Sequence, residues 1–305
     1  MALFDYESAG PGISKHAPKK TGIRLFFDIF FRKFWQLMEV NLIYFLFFIP
    51  LMLILGVISV FSDYKLILIL SGLLLLLFAV TIGPATAGMT KIMRCYITGK
   101  HTFIIRDFFR SFKNNFKKAA LVGFLDCLVI ASVIASIKVY PWIAELYNAK
   151  IMYLPMTIAL SVALVILMMN YYIFLMLTAT NLSLKNLIKN SFALAFVAMK
   201  SNIIILLVTI AVIAGMLLIF NYAFPVFMLL LPFFPAAFLC FVTCFNSYPV
   251  IQKYVINPYY TSIGEINPEL AEASDGDDEE VIFEDMGGKE KPIEKRKKTK
   301  GKRIS

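Results

Sequence analysis

Apolar residues fall along this chain in six long blocks, Val40–Ser62, Leu66–Ala87, Ala119–Pro141, Tyr153–Thr178, Ile203–Tyr222 and Phe224–Val250. Each reaches or exceeds the ~20 residues that a helix needs to cross a bilayer. Lipid leaves helices or closed barrels as the only ways to satisfy the backbone, and no run of alternating ten-residue strands occurs. The pattern therefore predicts an all-α integral membrane protein with six transmembrane helices. Polar breaks at "SDYK", "YPWIAELYNAK" and Asn221 to Pro225 pair these helices as three hairpins.

Between hairpins the pattern changes character. "GIRLFFDIFFRKFWQLMEVN", "HTFIIRDFFRSFKNNFKKAA" and "SLKNLIKNSFALAFVAMKSN" mix bulky apolar residues with basic ones at helical spacing, and each runs straight into a span. Phe and Trp enter the acyl boundary from such a helix while Lys and Arg stay among the headgroups, so interfacial amphipathic helices are expected there. Asn41, Asn115 and Asn202 fall at similar places in the three, 74 and then 87 residues apart. That suggests a threefold repeat of interfacial helix plus hairpin; the alternative is that any basic segment before a span looks alike.

Composition agrees with the pattern: 59% of residues are hydrophobic, 16% charged, and the mean hydropathy is +0.75, against roughly a quarter charged in soluble domains. Charge adds orientation. Of 30 Lys and Arg, 6 lie in the stretch through Glu39, 8 in 88–118, 3 in 181–202 and 10 after Val250, leaving Lys65, Lys138 and Lys150 for the opposite side. The positive-inside rule then places both termini and both connectors in the cytoplasm of a multi-pass cell-membrane protein. Residues 1–21 read as a polar lead without a cleavable signal, and 22–255 as the six-helix domain. Residues 256–305 read as a disordered cytoplasmic tail, acidic and then basic. The basic end suits solvation or loose lipid contact; nucleic acid is not an expected partner.

Candidate chemistry is sparse. Asp126 is the acidic residue inside a span, roughly 10 Å along the helix from Lys118. A carboxylate there faces a bundle interior or a wet cavity, as a site or as a protonated or hydrogen-bonded joint between helices. Asn170 and Asn246 add polar groups to the fourth and sixth spans, either as interhelical bonds or as the lining of a route. Pro232 and Pro235 interrupt the sixth span, and interrupted helices mark many transport sites. Cys240 and Cys244 share a helix face without nearby His or carboxylate and read as packing. No metal, cofactor or catalytic constellation is expected, so an enzyme is not.

The stretch "TIGPATAGMTKIMR" ends the second oily run. Gly83 and Pro84 are expected to loosen or end that helix, and Ala85, Ala87 and Gly88 to let a neighbouring backbone approach, forming an elbow. Arg94, Arg106 and Arg110, with Lys113, Lys117 and Lys118, would then lie at the lipid headgroups.

"TIGPATAG", then "RDFFRSFKNNFKKA", after "FWQLMEVNLIYFLFFIPL", together resemble the YesL-like family of bacterial multi-pass membrane proteins, over roughly residues 22 to 255. That family has no assigned function, and its members are often associated with carbohydrate-uptake systems. The resemblance implies an accessory or regulatory role beside a transporter permease, and it supplies no catalytic residues to carry over. The residues leave two rivals open: a small transporter working through Asp126 and the interrupted sixth helix, and a sensor of anionic lipid surfaces.

Overall fold

In the computed structural model the described residues, 21–61, 65–265 and 267, are almost wholly helical and contain no strand. Three times a short helix leads through one non-helical residue into a longer apolar one. Helix α1 (Gly22–Arg32) meets α2 (Phe34–Phe45) at Lys33, with φ −105° and ψ 10°. Helix α5 (Ile104–Asn114) meets α6 (Phe116–Leu146) at Asn115, with φ −101° and ψ 5°. Helix α8 (Leu184–Val197) meets α9 (Met199–Tyr222) at Ala198, with φ −98° and ψ 38°. These breaks stand 82 and 83 residues apart.

Each long helix is followed by a return helix. Past a 3₁₀ turn at Leu46–Phe48, α2 continues as α3 (Ile49–Phe61), and α4 (Lys65–Ile97) returns. Helix α7 (Tyr153–Ala179) returns from α6. After α9 the return is made by α10 (Phe224–Leu230) and α11 (Pro235–Ile251). Among the described residues five helices are long and apolar enough to cross a membrane, and six if the pair broken between α10 and α11, bent by 54°, counts as one.

The asparagines do not share a register in this repeat. Asn41 lies eight residues after its break, Asn202 four after, and Asn115 is the break.

Three expected boundaries shift. Helix α4 does not stop at Ala87 but passes Pro84 unbroken to Ile97. Pro84 cannot donate to the carbonyl four residues back, yet packing against α6 holds the helix continuous. The chain turns instead at Gly99, whose φ of 70° is the left-handed conformation glycine adopts without strain. Helix α6 likewise runs past Pro141 to Leu146. The sixth span, expected to be interrupted at Pro232 and Pro235, is two helices parted between Leu230 and Pro235. Beyond the membrane helices a turn at Gln252–Ile256 leads to α12 (Asn257–Ile263), so the tail expected to be disordered from 256 begins helical. A separate unit starts at Tyr259. The polar lead through residue 20 and the tail from 268 lie outside the described residues.

Burial is lopsided. The second half of α4 (Ala85, Met89, Ile92, Met93), the end of α7 (Tyr172, Leu175, Met176) and α11 (Phe241, Cys244, Ile251) form the core. Leu66 to Leu77 of α4, Leu154 to Leu167 of α7 and Leu207 to Leu218 of α9 are largely exposed at their larger side chains. Helix packing is thus concentrated at the end where the short helices lie.

Candidate functional site

The small residues of α4 are used for contact. A Cβ on Gly83 would collide with the carbonyl oxygen of Ala119 in α6, and one on Gly123 would lie 2.6 Å from the Gly83 nitrogen and 2.7 Å from its Cα. Two helices therefore cross backbone to backbone, as small residues permit in membranes. One and a half turns on, Gly88 faces the backbone and ring of Phe108 in α5, and Ser111 Oγ donates to the Ala87 carbonyl at 3.2 Å. Ala85 and Ala87 are fully buried. The expected elbow is thus corrected to an unbroken helix whose small face seats α6 and α5 in turn.

Polar side chains fasten the same end. Asn41, 1% exposed, donates through Nδ2 to the carbonyls of Leu231 (3.2 Å) and Pro232 (2.7 Å). Its Oδ1 accepts the Ala237 N–H at 2.7 Å. Two carbonyls and one amide at the break between α10 and α11 are held by this one residue. Asn202 does the same for the third break, donating to the Ala195 carbonyl at 2.8 Å while its Oδ1 accepts from the Tyr172 hydroxyl at 2.6 Å. Asn115 donates back to the Ser111 carbonyl.

Two of the six cations expected at headgroups turn inward or to backbone. Arg94 donates to the Thr178 carbonyl at 2.9 Å and lies over the Tyr248 ring. That carbonyl is among the last of α7, which no following helical amide can reach. Lys118 donates to the Leu182 carbonyl at 2.8 Å. Arg106, Arg110, Lys113 and Lys117 are exposed, and Ile105, Phe109 and Phe116 are exposed beside them.

The polar residues inside the spans are brought together selectively. Asn170 Nδ2 donates to Asp126 Oδ1 at 2.6 Å, joining α7 to α6. Both line a cleft of about 530 Å³ walled by α2, α4, α6, α7, α9 and α11. Asn246 is apart from them and turns back to the Val242 carbonyl of its own helix. Tyr44 and Thr86 also line the cleft, bonded to each other at 3.0 Å. Cys240 and Cys244 reach its wall as free thiols 4.0 Å apart. Among the described residues no group of three or more His, Cys, Asp and Glu could hold a metal ion.

A register that the sequence analysis missed organises this lining. Tyr44, Asp126 and Thr209 each stand eleven residues after the break of their own repeat, and all three line the cleft. Eleven residues are about 16 Å along a helix, or three turns. The signal was available as spacing, but only once the breaks rather than the asparagines set the alignment.

Several long apolar helices, with a core held by small-residue crossings and polar clamps, mark a multi-pass membrane protein. Residues 37–137 match a family model described as Protein of unknown function, DUF624. It spans α2 to most of α6, including Gly83, Gly123 and Asp126, and leaves α7 to α11 outside. No curated protein and no solved structure matches the chain.

Proposed function

We propose that this chain is a non-catalytic protein of the cell membrane, of the YesL-like type, acting as an accessory or regulatory partner of a transport system. Carbohydrate uptake is the system the resemblance implies. What supports the reading is where the polar groups are spent. Asn41, Asn202 and Arg94 all close the protein's own backbone ends, while α9 offers Ile203, Leu207, Ile210, Leu217 and Leu218 outward. Such a surface in a bilayer is covered by lipid or by another protein's helices. Purification from native membranes in mild detergent tests it: a permease recovered in near-equal amount is the expected result, and the chain recovered alone counts against the role.

The orientation belongs to the same proposal. Arg106, Arg110, Lys113 and Lys117 form an exposed row on α5 and the start of α6, flanked by Phe109 and Phe116, suited to anionic headgroups on the cytoplasmic side. A reporter fused after Ser305 should be active only in its cytoplasmic form. Activity of an externally active reporter would mean that the span count is wrong by one.

A transporter working through Asp126 is the second reading, carried by the cleft. Its other support, the α10–α11 break, is weaker, because Asn41 already occupies two carbonyls and one amide there.

A further inference from the structure

We propose that the cleft between the three hairpins binds an amphiphilic organic cation, with a protonated amine against Asp126 and an apolar body along α6 and α7. The site is built, not a lone charge. Its three first helices contribute one polar residue each from the same register, Tyr44, Asp126 and Thr209. Two of the three are already committed: the Tyr44 hydroxyl bonds to Thr86, and Thr209 donates to the Ile205 carbonyl of its own helix at 2.8 Å. Asp126 is committed through one oxygen only. Oδ1 takes the Asn170 amide, and among the described residues no hydrogen-bond donor takes Oδ2.

Charge points the same way. No Lys or Arg lines the cleft, so nothing in the wall balances the carboxylate, and an unpaired charge away from water is costly until it meets a counter-charge. Beside it, Asn170 Oδ1 is buried with no donor. An ammonium has three N–H donors and no acceptor, which suits two waiting oxygens. The rest of the wall, including Val129, Val133, Ile166 and Phe174, is apolar. At about 530 Å³ the cleft falls in the range that holds small organic ligands. An inorganic cation would leave that apolar wall without a partner, and an anion would meet the carboxylate.

The proposal concerns the isolated chain, so its failure and that of the accessory role are separable. The test uses the full-length protein in nanodiscs of zwitterionic lipid, with tritiated 4-phenylbutylamine as probe and empty nanodiscs correcting for partition. Saturable binding of one amine per chain is expected, with 4-phenylbutanol competing at least tenfold more weakly. Asp126→Asn keeps the shape and an oxygen for the Asn170 amide while removing the charge, and should weaken amine binding at least tenfold. Val133→Trp, which fills the cleft and leaves Asp126 in place, should abolish it, and covers the case in which the Asn variant fails to fold. Equal competition by the alcohol, or unaltered binding in a folded variant of either kind, overturns the proposal.

Discussion

Gly123→Ala is expected to unfold this protein at a markedly lower temperature, although it adds a single methyl group and replaces a poor helix former by the best one. The new Cβ would sit 2.6 Å from the Gly83 nitrogen and 2.7 Å from its Cα. Those are backbone atoms of α4, which cannot swing aside as a side chain would. Either α4 and α6 separate or one of them bends, and overpacking of that kind costs about 3 kcal/mol. The control lies in α9. A Cβ on Gly215 meets nothing within 4 Å, so Gly215→Ala should be neutral or slightly stabilising, by about 0.5 kcal/mol from helix propensity. Thermal unfolding of both variants in the same detergent decides the matter; equal melting temperatures would show that the two helices do not cross as described.

Asn41→Leu is expected to be the other severe change. The two side chains branch alike at Cγ, and although leucine is the bulkier, the main loss is chemical. Two carbonyls and one amide around the break between α10 and α11 would lose their partner together, in a place where water does not readily replace it. At about 1–3 kcal/mol for each buried group left unsatisfied, a total near 4 kcal/mol follows. The effect should also be local. Hydrogen exchange at the Ala237 amide, slow while Asn41 Oδ1 accepts from it, should accelerate far more than exchange in α7. A variant that melts as the parent does, with Ala237 still protected, would mean that the break is held by something other than Asn41.

These two residues also mark the limits of what the sequence disclosed. Length and hydropathy suffice for helices because lipid allows little else; of the expected turn "SDYK", residues 62–64 lie outside the described residues. The "GPATAG" stretch was legible as a close-contact surface, since small residues have few other uses inside a membrane. Its continuity was not, because a proline's lost hydrogen bond is a local fact while the packing beside α4 comes from Ala119 and Gly123, far along the chain. Asn41 looked like one of three equivalent asparagines. Its real partners, Leu231, Pro232 and Ala237, lie some 190 residues away, and no periodicity in the neighbourhood of residue 41 records them. Asp126 and Asn170 were both legible as candidates, but that they meet, and that Asn246 does not join them, depends on how α6, α7 and α11 are rotated. The apolar residues alone leave that rotation open, since these helices are oily on nearly every face.

The lopsided burial has a mechanical consequence. Glycine contacts, clamps and core all sit toward the end that carries the short helices, while the far stretches of α4, α7 and α9 touch little of their own chain. Stiffness is therefore expected at one end of the helices and not at the other. Heating should accordingly loosen the far stretches first and the knot at their base last.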